Sequence, residues 1–176
     1  MVILITGASH VGKTLLAQKM LEKYKYPYLS IDHLKMGLIR CGYTDLTPDD
    51  DDELTDYLWP IVREIVKTAI ENDQNLIVEG CYIPAEWRRD IDQRYLEHIE
   101  FICLAMSEEY IEDHFDAIIG HESEVENRLI KADCTADDLK QCNRWFIDLF
   151  SSVGEKVVII EDDFDKTLPY YADALE

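Results

Sequence analysis

Gly7, Ala8, Ser9, His10, Val11, Gly12, Lys13 and Thr14 follow the spacing G-x-x-x-x-G-K-[ST], and no other stretch of the chain restricts its folding so tightly. The two glycines let the backbone curl so that successive N–H groups point into one concavity, a shape that suits phosphate oxygens. The flanks supply the context such a loop needs. Residues 2–6 read as a buried strand, and Leu15, Leu16, Met20 and Leu21 recur at helical spacing over Lys13–Tyr24. A helix starting at Lys13 turns its positive dipole end toward the same concavity. A random chain of this length would show the pattern with a probability on the order of one per cent, so chance accounts for it poorly.

This spacing assigns the loop to ATP and Mg²⁺. Lys13 is expected to reach the β- and γ-phosphates, and the Thr14 hydroxyl to ligate the metal. His10 contributes mainly its backbone N–H, with a catalytic imidazole as the alternative.

Four further apolar runs, residues 27–31, 75–79, 100–106 and 156–161, have the look of buried parallel strands. Helical spacing fills the gaps between them. Residues 52–72 carry Leu54, Leu58, Ile61, Val62, Ile65, Val66, Ala69 and Ile70 on one broad face, and Leu139, Cys142, Phe146, Leu149 and Phe150 form a second stripe. Thr47 with Pro48 is expected to cap the long helix, and Thr135 with Asp138 has capping-box spacing. The acidic run 49–53 reads as a solvated helix start, a cation site being the alternative. Strands alternating with helices imply a three-layer α/β domain over residues 1–176, its parallel sheet covered on both faces. Ligands in such sheets sit at the carboxyl ends of the strands.

Charge limits the partners. Against 17 basic residues stand 37 acidic ones, a formal net charge of −20. Nucleic acid and anionic membranes repel such a surface, since binding them needs clustered Lys and Arg. The five cysteines form no C-x-x-C pair, which fits free thiols in a reducing compartment. No apolar run approaches the roughly 18 residues of a membrane span, and the apolar start lacks a basic leader. The cytoplasm is the expected location.

The segment 2–16 resembles the start of the P-loop kinases of the nucleoside-monophosphate-kinase type, which include adenylate, shikimate and antibiotic-phosphorylating enzymes. Ser30-Ile31-Asp32-His33 ends the second strand with an acid, as these kinases often do. Leu76-Ile77-Val78-Glu79-Gly80 is similar to their third strand, and the stretch through Pro84 resembles the corresponding part of 2-phosphoglycerate-kinase-like proteins. Residues 157–162 resemble the last strand, whose following loop borders the adenine. The resemblance implies the P-loop NTPase fold, a five-stranded parallel sheet of order 2-3-1-4-5, and a lid around residues 118–131.

By the same resemblance, Asp32 contacts the acceptor or acts as base on its hydroxyl. A plain helix N-cap is the alternative. Glu79 is placed to hold Mg²⁺ through water, or is simply a strand-end acid. Arg40 falls in the segment where the family binds its acceptor, and Arg88 follows Glu79 closely enough to be a second acceptor contact. Arg128 is the lid's catalytic arginine, with Arg89 and Arg144 as further candidates to neutralise transferred charge. The family's adenylate-kinase lid carries closely spaced arginines, whereas residues 118–131 offer Arg128 alone; this argues against a nucleoside monophosphate as acceptor. The expected activity is ATP-dependent phosphoryl transfer to a small hydroxylated or phosphorylated metabolite. A P-loop ATPase or switch acting on a protein, and a non-catalytic binding module, are the competing readings.

Overall fold

In the computed structural model, which describes residues 1–120, 134–162 and 167, strands and helices alternate from the start. The order is β1 (Val2–Gly7), α1 (Lys13–Tyr24), β2 (Tyr28–Ser30), α2 (Ile31–Arg40), α3 (Asp51–Glu71) and β3 (Leu76–Glu79). A 3₁₀ turn at Trp87–Asp90 follows, then α4 (Gln93–Leu96), β4 (Ile99–Met106), α5 (Glu108–Gly120), α6 (Ala136–Ser152) and β5 (Val157–Ile160). The five strands form one parallel sheet in the order β2-β3-β1-β4-β5. That is the order expected from the resemblance.

Burial on both faces of the sheet explains why Val2–Ile5 of β1 are all apolar rather than apolar at alternate positions. Ile3 and Ile5 share a core with Leu16 and Met20 of α1, Ile111 of α5 and Phe146 and Phe150 of α6. Val2 and Leu4 point to the other face, where Leu54, Leu58, Val62 and Val66 of α3 and Trp87 of the 3₁₀ turn close over them. Each of these aliphatic side chains stabilises the fold by roughly 1.5–3 kcal/mol relative to exposure. Cys103 of β4 is also fully buried, and burial pushes its thiol pKa up to about 12. All five cysteines are free. Among the described residues, no helix is long and apolar enough to cross a membrane.

Helix α6 begins as its capping box predicts: Asp138 N donates to Thr135 Oγ1 (3.2 Å), and Thr135 N donates back to Asp138 Oδ2 (2.9 Å). Three expectations are corrected. Thr47 does not cap α3. Its amide and hydroxyl both donate to Asp50 Oδ2, at 2.7 and 2.8 Å, so Asp50 is the N-cap and Thr47-Pro48 form a turn ahead of it. The second strand stops at Ser30, because Ile31 already opens α2. Asp32 therefore lies inside the first turn of α2 rather than at its cap. Residues 118–120 of the expected lid are the final residues of α5, and residues 121–131 lie outside the described residues.

Candidate active site

All five strands end on one edge of the sheet, and the phosphate loop hangs from the central one. Ala8 and Val11 are buried, anchoring the loop from below. Gly7 is required where it stands: its φ is 142°, and a Cβ there would lie 2.1 Å from the Leu104 carbonyl oxygen of β4. His10 (φ 63°) and Gly12 (φ 80°) also turn through left-handed conformations, which curls the loop into the concavity read from the sequence. The His10 ring is 2.8 Å from Ser9 Oγ through Nδ1. Lys13 Nζ donates to the carbonyls of Gly7 (3.1 Å) and Ala8 (2.7 Å), so the ammonium is held across the mouth of the loop.

Glu79 ends β3 next to this loop, in register with Ile5 on one side and Ser30 on the other. It is 1 % exposed, and its Oε2 accepts a 3.2 Å hydrogen bond from Thr14 Oγ1. A hydroxyl and a carboxylate so close together are two hard oxygen donors of the kind Mg²⁺ takes. Gly80 is the second glycine that geometry demands, since a Cβ would meet Ile31 Cβ at 2.8 Å with φ at 155°. It lets the chain leaving β3 pass directly beneath the start of α2.

That passage brings together residues far apart in sequence. Lys35, one turn after Asp32, lies 2.8 Å from Asp32 Oδ1 and donates to Tyr82 Oη at 2.7 Å. The Tyr82 hydroxyl donates in turn to Asp51 Oδ1 at 2.9 Å. Burial raises the Tyr82 pKa strongly, helped by Cys81, Asp51 and Asp32, so the phenol stays protonated and can donate. Cys81 sits between this network and the phosphate loop. Burial raises its pKa; Lys13 pulls the value down, Asp32 and Asp51 push it up, and Lys35 pulls it down. One thiol thus feels both halves of the site.

The chain matches solved structures over nearly its whole length. A sugar kinase from Janibacter sp. superposes with a TM-score of 0.57 at 14% identity, covering 97% of this chain and 91% of that one. Shikimate kinase from Bacteroides thetaiotaomicron gives 0.53 at 13% identity (99% and 98% covered), and the enzyme from Aquifex aeolicus gives 0.52 at 13% identity (99% and 96% covered). The fold is that of the P-loop kinases. No family model matches the sequence, and no curated protein does.

Within this fold the expected arginines do not converge. Arg88 pairs with Glu155 (Nε to Oε1 2.5 Å) and lies 4.3 Å over the Trp87 ring. Glu155 lies two residues before β5, so the charge of Arg88 is already paired there. Arg40 ends α2, exposed and about 12 Å along the helix axis from Asp32 at 1.5 Å per residue. Arg89 pairs with Glu86, and Arg144 with Glu108 at 3.0 Å. Arg128 lies outside the described residues. The sequence reading did not single out Lys35, Tyr82, Asp51 or Cys81. Lys35 had a usable signal, since a cation three residues after an acid on a helix faces it.

Proposed function

We propose that this chain is an ATP- and Mg²⁺-dependent phosphotransferase for a small hydroxylated or phosphorylated acceptor. The observation that carries it is the grouping of Lys13, the Thr14–Glu79 pair and the Asp32–Lys35 pair at the carboxyl ends of three adjacent strands. The names of the sugar and shikimate kinases that share the fold support a small-molecule acceptor.

In this reading the loop N–H groups and the positive end of α1 bind the phosphate oxygens of ATP. Lys13 swings from its carbonyl partners to the β- and γ-phosphates. Thr14 and Glu79 would hold Mg²⁺, which when bound neutralises charge on the phosphates. Asp32 accepts a hydrogen bond from the acceptor hydroxyl and takes its proton as the new oxygen–phosphorus bond forms and the bond to ADP breaks. Lys35 holds the Asp32 carboxylate in place until then.

Calorimetry of Mg·ATP binding to the wild type and to Lys13→Met tests the donor site. Removing a charge-assisted contact to phosphate should weaken binding by about 10- to 100-fold. ADP release should require a hydroxylated small molecule. Hydrolysis that ignores small molecules and is stimulated by a protein would reject the proposal in favour of an ATPase.

A further inference from the structure

The Asp32 side of the site has one buried cation, and its charge is already in use. Lys35 is 9 % exposed. Its ammonium is held by Asp32 Oδ1 and Tyr82 Oη, and it lies 4.9 Å from the centre of the Tyr82 ring. Tyr82 then joins it to Asp51. At neutral pH the set of four carries two carboxylates, one ammonium and one neutral phenol, a net charge of about −1.

An anionic acceptor would meet the wrong field there. Among the described residues, Lys13 is committed to the donor phosphates in the proposed mechanism, Arg40 lies along α2 away from Asp32, and the charge of Arg88 is taken up by Glu155. A phosphate or carboxylate entering beside Asp32 and Asp51 would be repelled at short range, in surroundings that screen less than water. A hydroxyl or an ammonium meets the reverse: two carboxylates that accept hydrogen bonds and favour positive charge. Lys35 does not offset this, because its pairing with Asp32 leaves Asp51 as the uncompensated charge of the set.

We propose that the Asp32–Lys35–Tyr82–Asp51 network selects the acceptor by charge, admitting a hydroxylated compound that bears no phosphate or carboxylate and favouring one that carries an amine. The inference rests on the kinase reading and narrows its acceptor to the non-anionic class. The reacting hydroxyl meets Asp32, and the amine meets Asp51.

A matched three-carbon set tests this: 3-amino-1,2-propanediol, glycerol and glycerol 3-phosphate. Each is titrated into the intact chain saturated with Mg²⁺ and a non-hydrolysable ATP analogue, following the backbone amide resonances of Cys81 and Tyr82. The amine should bind at least about tenfold more tightly than the phosphate, with glycerol between them. Asp51→Asn should shrink the amine-over-phosphate ratio by about three- to tenfold, with binding of the ATP analogue at the amides of residues 8–14 unchanged. Equal binding, preference for the phosphate, no response to the amine, or a ratio indifferent to Asp51→Asn would overturn the proposal. Failure of the kinase reading looks different, because the amides of residues 8–14 would then not respond to the Mg²⁺-bound analogue.

Discussion

Asp32 stands in the first turn of α2 with Lys35 one turn further on, so a single short helix presents both an acid and the cation that holds it. Its side chain is 37 % exposed, against 11 % for Lys35; the carboxylate can meet an incoming hydroxyl while its partner stays covered. Asp32→Asn removes the basic oxygen but keeps the shape. Turnover should fall by about 10²- to 10⁴-fold, with the affinity for Mg·ATP nearly unchanged. A urea midpoint measured alongside separates lost chemistry from lost folding, and undiminished turnover would remove Asp32 from the base role. At this scale the sequence was legible wherever one residue type suffices. The phosphate loop could be read from eight consecutive residues, Glu79 from its place at a strand end, and Asp32 from its place just after one. Tyr82 and Asp51 could not, because their contacts span 47 and 31 positions and exist only once Gly80 carries the chain under α2.

Among the elements, α6 has the most explicit start signal. Thr135 and Asp138 satisfy each other's backbone amides, and these bonds lower the Asp138 pKa below its ordinary 3.8, the Thr135 side chain first and its amide second. A depressed carboxyl contributes its stability above the unfolded pKa and loses it as pH falls through the folded one. Thr135→Ala should therefore lower Tm by about 2–4 °C at neutral pH. The gap between variant and wild type should narrow as pH falls below 3.8, the Asp138 N–H bond to Thr135 Oγ1 keeping part of it at every pH. Thermal melts at pH 7 and pH 3 would show it, and a gap of constant size would contradict the assignment. The strands were readable within a residue or two because each is mostly apolar, the central β1 and β3 being buried on both faces. The start of α2 was read late, with Asp32 rather than Ser30 as its cap, because the helix follows β2 without a turn and Ile31 extended the apolar run of the strand before it. Arg88 was read from its closeness in sequence to Glu79, whereas its ion pair with Glu155 spans 67 positions and could not be read that way.

For the molecule as a whole, the net charge of −20 means that any phosphate is bound against an opposing field. Its attraction must come from short range, from Lys13, the loop N–H groups and the end of α1, which is why the concavity is built from backbone rather than from a basic surface. The strand order adds a second, unequal division. β1 is hydrogen-bonded on both sides, to β3 and β4, whereas β2 is a three-residue edge paired on one side with β3. The donor half of the site thus hangs from the strand that opens only with the whole domain, and the acceptor half from one that can fray on its own. Amide hydrogen exchange should be slowest in β1 and faster in β2 by orders of magnitude; comparable protection in the two strands would contradict this. For the proposed kinase the consequence is a division of labour in time: the side meant for the acceptor can loosen and re-form while the phosphate loop keeps its shape.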